Sequence, residues 1–197
     1  MVAKGIRVEQ VNAGLLNSLS ATESSQGILA VLEYSELPLP PKLDFVLVLD
    51  QLRDPGNLGT LLRSAAAAGV QAVCLSPESA EPFAPKVVRS GMGAHFRLPI
   101  RTESWEAIGE HLTGLKICLA DLQGVSCWQA DLSIPLALII GGEAAGVGPE
   151  ARTLADTRVS IPMPGGSESL NAASAGAVLM FEALRQRQVR HPAGRMA

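Results

Sequence analysis

Three stretches of this chain carry residue types that could do chemistry. The first runs from Arg53 to Arg63. Asn57 and Thr60 offer hydrogen bonds near a helix start, Gly59 permits close approach, and Arg63 lies one and a half turns in. A guanidinium there suits a phosphate or a carboxylate, or it is a surface arginine paired to Asp54. The second runs from Ile140 to Pro149. It has no Gly-Lys-Ser/Thr, so it is not a P-loop, and Pro149 and Glu150 interrupt any dinucleotide fingerprint. Glu143, after a buried apolar run, either binds a positive group or caps a helix N-terminus. Gly146 and Gly148 are candidate turn residues. The third runs from Val159 to Asn171. Pro162 and Pro164 lack N–H groups and end a strand there. Gly165 and Gly166 leave room for a ligand. Ser167, Ser169 and Asn171 stand at a helix mouth, as ligand groups or as caps.

These loops supply no nucleophile–base–acid triad, since Ser169 has no nearby histidine, and no metal-ligand spacing. That disfavours hydrolysis. It favours group transfer, with the reactive group on a cofactor and the protein positioning it.

The elements that must hold the loops follow from periodicity. Phe45–Asp50, Ala72–Leu75, His95–Leu98, Lys116–Ala120, Leu136–Ile140 and Val159–Met163 read as strands. Helices are expected around Val11 to Leu19, Leu58 to Ala68, Pro85 to Met92, Ser104 to Leu112 and Pro149 to Leu154. A final helix carries Leu170, Ala173, Ala177, Phe181 and Leu184 at helical spacing. The alternation predicts an α/β fold: a mostly parallel, Rossmann-like sheet with helices on both faces. Ligands then bind beyond the carboxyl ends of the strands, where all three loops lie.

The chain has 197 residues, is 47% hydrophobic and 18% charged, and carries a net charge of −3. That suits one substantial core and argues against general nucleic-acid affinity, though not against a local basic patch. No run approaches the roughly 20 apolar residues of a membrane helix, and no signal pattern opens the chain, so a cytoplasmic protein without membrane association is expected. Cys74, Cys118 and Cys127 read as free buried thiols. Residues 1–41 differ in composition and end in the Pro-rich stretch Leu37 to Pro41. Residues 42–190 form the expected main domain, and 191–197 a tail.

In this order the loops resemble the motifs of the SpoU family of RNA ribose 2′-O-methyltransferases, of the SPOUT superfamily. Asn57, Gly59 and Arg63 match the first motif, N-x-G-x-x-x-R. Gly141, Glu143 and Gly146 match the second, with Gly142 between. Ile161, Pro162, Met163, Gly165, Ser169, Leu170 and Asn171 match the third. The resemblance covers about residues 44–187.

The resemblance implies S-adenosylmethionine bound in a C-terminal trefoil knot, a homodimer through the knot region, and an RNA substrate, ribosomal rather than transfer RNA. Cofactor contacts carry over to Gly142, Glu143, Gly146, Ile161, Met163, Ser169, Leu170 and Asn171, with Leu119 and Ala120 at the end of a further strand. Catalysis falls to Arg63, which activates or orients the ribose hydroxyl, assisted by Asn57, Glu143, Ser169 and Asn171. No metal is implied. Ala172 and Ala173 stand where many members carry Val and Ser. Leu19 to Val31 resembles the tail end of the N-terminal RNA-binding domain found in relatives.

RNA contact is expected from Arg63, Lys86, Arg89 and Arg97. Arg185, Arg187, Arg190, His191 and Arg195 crowd the C-terminus, where basic charge also suits a helix end. The alternatives are a non-catalytic RNA-binding or assembly protein that keeps the fold, and a base methyltransferase of the same superfamily.

Overall fold

The computed structural model describes residues 7–20, 25–33, 35–142 and 146–190. The chain divides into two compact units, Met1–Ser35 and Glu36–Ala197. In the smaller, α1 spans Ala13–Leu19, and Asn12 caps it by accepting from the Leu15 N–H at 2.8 Å. Residues 27–33 form no regular element.

The larger unit is centred on two strands whose sequence leaves no polar face. β1 (Phe45–Asp50) and β5 (Leu136–Gly141) pair in parallel at the sheet centre. β2 (Ala72–Leu75) and β3 (Ile100–Thr102) extend one side, and β4 (Lys116–Ser126) and β6 (Thr157–Ser160) the other. The order is β3-β2-β1-β5-β4-β6, and every pairing is parallel.

Alternation along β1 sorts the core into two layers. Phe45, Leu47 and Leu49 face a cluster containing Leu58, Leu61 and Leu62 of α2 (Pro55–Ala68) and Leu179, Met180 and Ala183 of α6 (Ala172–Arg190). Val46 and Val48 face Ile108 and Leu112, at α4 (Trp105–His111), and Ala151 of α5 (Pro149–Leu154). Parallel sheets need this cover on both faces.

Local signals set the helix ends. Asp54 accepts from the Asn57 N–H at 2.7 Å and Pro55 occupies the first turn, so α2 begins three residues before the expected Leu58. It ends at Gly69, where the backbone is left-handed. The stretch His95–Leu98 is not a strand: Ala94–Phe96 forms a 3-10 turn after α3 (Pro85–Gly91), and the strand comes later as β3. β4 runs six residues beyond Ala120, with a register shift against β6 between Ala120 and Val125. β6 ends at Ser160, before the expected Met163.

α6 differs most from its expected pattern. Its buried positions include Ala172, Ala173, Gly176, Leu179, Met180 and Ala183, whereas Phe181 is 47% exposed. Small residues decide this. A Cβ at Gly176 would collide with the Leu61 side chain, so the two helices approach on the glycine face. At the far end of α6, Arg187 donates to the Asp44 carboxylate at 3.1 Å and to the Ile134 carbonyl at 2.7 Å, with its guanidinium 4.7 Å from the Phe45 ring centroid. The stretch Leu37 to Pro41 belongs to this larger unit, where Arg101 donates to the Leu37 carbonyl at 2.6 Å.

Candidate functional site

Beyond the carboxyl ends of β5 and β6, and against the middle of β4, lies a cavity of about 650 Å³. Its size suits a single small-molecule ligand. The second and third glycine loops meet in it. Of the expected cofactor contacts, Ala120, Gly142, Gly146, Ile161, Met163, Ser169, Leu170 and Asn171 line it. The Leu119 side chain does not: it is buried in the cluster on the opposite sheet face. Glu143 lies outside the described residues.

The floor depends on backbone approach. Gly142 donates to the Asp50 carbonyl at 2.9 Å, and a Cβ at Gly142 would collide with the Gln51 carbonyl oxygen. Any other residue would push the loop off β1. Asp50 holds the far side of the same loop. Fully buried, it accepts from the Gly148 N–H at 2.6 Å, while its other oxygen has no partner among the described residues. Gln51 adopts a positive φ of 52°, a costly conformation for a residue with a side chain. Strain and a half-satisfied carboxyl thus sit directly beneath the loop.

The third loop is fixed by Asn171. Its Oδ1 accepts from the N–H groups of Ala173 and Ser174, at 2.9 and 3.2 Å, so of the three candidate caps at the helix mouth Asn171 is the one that caps α6. Its Nδ2 donates to Asn57 Oδ1 at 3.0 Å. This bond joins the first stretch to the third.

Arg63 is not brought into the cavity wall. Six residues on from Asn57, it projects about 240° round α2 and is exposed. The anticipated pair with Asp54 is absent, and Arg63 makes no side-chain hydrogen bond or ion pair among the described residues. Lys86, Arg89 and Arg97 are exposed on α3 and the turn after it, away from the cavity lining. Of the C-terminal cations, Arg185 pairs with Glu182, Arg187 with Asp44 and Arg190 with Asp131. His191 and Arg195 lie outside the described residues.

One polar group was not anticipated. Asp121, 16% exposed in its side chain, lies on the cavity wall 3.6 Å from both Arg152 and Arg158. The available signal was position: Asp121 directly follows the apolar run Lys116–Ala120, where the sequence placed the end of a strand and ligands bind beyond such ends. The cavity therefore has an apolar wall, including Ile140, Val147, Ile161 and Leu179, and a charged corner.

Residues 44–181 match the SpoU rRNA Methylase family. The chain belongs to this family. Among its members, the chain is similar to the mitochondrial rRNA methyltransferase 3 of Mus musculus, at 34% identity over 80% of the chain and 50% of the mouse protein. It therefore spans about half of that relative's length. It is 35% identical to the 23S rRNA (guanosine(2553)-2′-O)-methyltransferase of Bacillus subtilis, over 90% of the chain and 72% of that protein. Among solved SpoU structures, AviRb from Streptomyces viridochromogenes in complex with AdoMet superposes with a TM-score of 0.69 and 37% identity, covering 77% of this chain and 64% of that one.

Proposed function

We propose that this chain transfers a methyl group from S-adenosylmethionine to a ribose 2′-hydroxyl of structured RNA, with ribosomal RNA favoured over transfer RNA. The observation that carries the reading is the convergence of the second and third loops on one cavity, tied to the first through Asn57 and Asn171. The substrate class is that of the relatives named above.

The cavity fits the cofactor. Its volume suits one molecule of that size, the Gly142 backbone leaves a cradle that a Cβ would fill, and its wall offers both apolar and charged groups. Gly142, Gly146, Ile161, Met163 and Leu170 would hold it, with Ala120 and the Leu119 backbone in β4. When bound, the cofactor supplies an electrophilic methyl group on sulfur. The protein's part is positioning, because an in-line approach accounts for much of the rate. Asn57, Ser169 and Asn171 hold the ribose near the loop mouth. Arg63 holds the adjacent phosphate and aims the hydroxyl. A guanidinium with a pKa of about 12.5–13.8 is a poor base, so orientation is its first role.

The reading includes a homodimer, a C-terminal trefoil knot and a cytoplasmic setting. Val178 and Phe181, 41% and 47% exposed on α6 with Leu170 nearby in sequence, provide an apolar stripe suited to a second copy. The chain leaves β6 at the sheet edge yet returns to pack α6 on α2 and β5, as a knotted crossing requires. Three unpaired buried thiols suit a reducing compartment. Residues 42–190 carry the chemistry, with residues 1–41 accessory to RNA binding.

The test is calorimetric titration with S-adenosylmethionine, then methyl transfer to ribosomal RNA fragments with the modified atom mapped. Saturable binding, methyl on a 2′-oxygen and loss of transfer in a folded Arg63→Ala variant are expected. A folded chain that binds no cofactor, or methyl found on a base, would overturn the reading.

A further inference from the structure

The arginines of this chain divide sharply by partner. Arg7, Arg53, Arg101, Arg152, Arg158, Arg185, Arg187 and Arg190 are each paired to a carboxylate. The remaining described arginines are Arg63, Arg89 and Arg97. None of the three has a side-chain hydrogen bond or ion pair among the described residues, and neither does Lys86. In a chain of net charge −3, unpaired cations gathered in one region are a deviation.

They are gathered by packing. A Cβ at Gly59 would collide with Ser90 Oγ and lie 2.7 Å from the Val87 carbonyl oxygen, so α3 sits against the glycine face of α2. Arg63 follows Gly59 by four residues and so lies one turn further along that same face. The 3-10 turn after α3 also packs on α2. It is held by the His95 Nε2–H, which donates to the Pro82 carbonyl at 2.8 Å, and by an edge contact between Phe83 and His95, with centroids 5.4 Å apart. No acidic residue occurs between Pro85 and Pro99.

Two apolar side chains stand exposed among these cations. Phe96 is 65% exposed and Met92 66% exposed. Met92 is in the left-handed region at φ 47°, so the backbone accepts strain where it turns this side chain outward. Cations flanking an exposed aromatic ring match the requirements of a single nucleic-acid strand: phosphates for the former, a base face for the latter. An RNA duplex keeps its bases stacked inside and offers no free face to Phe96.

We infer that the face formed by Lys86, Arg89, Met92, Phe96 and Arg97 is a stacking platform for an unpaired RNA strand, continuous with Arg63. Phe96 takes the face of one base, and Arg89 and Arg97 take the flanking phosphates. The inference rests on RNA being the substrate. It adds that the target nucleotide is presented from a loop or bulge, whose neighbouring base this platform holds.

The test is binding of the full chain to a fluorescein-labelled 12-nucleotide RNA without secondary structure, and to the same sequence as a duplex, by anisotropy. The single strand is expected to bind more tightly. Phe96→Ala is expected to weaken it about five- to hundredfold, and Phe96→Trp to keep it. Exchanging both Arg89 and Arg97 for Ala is expected to lower the slope of log affinity against log salt by about 1.4. Equal single-strand affinity in the parent and Phe96→Ala chains would overturn the inference. So would tighter binding of the duplex, or a dimer that dissociates on Phe96→Ala with RNA affinity unchanged, which would make this face a protein interface. The two readings fail separately. S-adenosylmethionine binding unchanged in Phe96→Ala, with no loss of RNA affinity, sinks the platform alone. Absence of methyl transfer from every RNA, with Phe96-dependent binding retained, sinks the catalytic reading alone.

Discussion

Asn171 Nδ2 donates to Asn57 Oδ1 at 3.0 Å, across 114 positions of sequence. The same Asn171 side chain caps α6 through its oxygen. One amide therefore orients the last helix and joins two of the three loops. Asn171→Ala removes both functions and is expected to cost about 1 kcal/mol of stability from the lost cap alone. Asn57→Ala breaks the link and leaves the α6 cap in place, so its effect should fall on methyl transfer more than on the denaturation midpoint. A double-mutant cycle should be non-additive in activity.

Gly142→Ala places a methyl group against the Gln51 carbonyl oxygen. Backbone, not a flexible side chain, stands in the way, so the loop must move. The expected result is a cofactor affinity reduced by tenfold or more, corresponding to about 1.4 kcal/mol, with the fold retained. Calorimetry with S-adenosylmethionine checks the first part and circular dichroism the second.

Glu182 is nearly buried and is held below the ordinary glutamate value of 4.5, chiefly by its hydrogen bonds with Arg185. A carboxyl lowered in the folded state contributes stability above its unfolded value, and that contribution is lost as pH falls through its folded value. Glu182→Gln should therefore be less stable than the parent at pH 7. The gap should close as urea midpoints are taken from pH 5 downwards.

Burial pushes the Cys74 thiol up to about 12 and raises those of Cys118 and Cys127. Thiolate is the reactive form, and all three cysteines are buried and unpaired. A chromogenic thiol reagent at pH 8 should titrate none of them in the folded chain and all three in denaturant.

The sheet was legible where burial on both faces left continuous apolar runs, as in Phe45–Asp50 and Leu136–Ile140. It was less legible at His95–Leu98, where a left-handed Met92 and Gly93 redirect the chain into a 3-10 turn. The α6 stripe misled because large residues suggest a core face, while Gly176 let the smaller face dock on Leu61. The glycine loops could be read because close approach demands residues without side chains. The bond between Asn57 and Asn171, the buried Asp50 and the Asp121 corner depend on strand order, which no local pattern encodes. Arg63 is the sharpest case. Its spacing from Asn57 is visible in the sequence, but its direction follows from counting turns of a helix that begins at Pro55.

The bond from Asp50 to Gly148 and that from Asn57 to Asn171 close loops of about a hundred residues, and Arg187 reaches back to Asp44 over 143 positions. Contacts this distant in sequence are slow to form. They also impose an order on synthesis. A chain emerging from the ribosome can lay down β1, β2 and β3 early, but it lacks Asn171 and the whole of α6 until all six strands have been made. The cavity is thus completed only after every strand has been made, when one helix both closes the core and delivers the third loop to the other two.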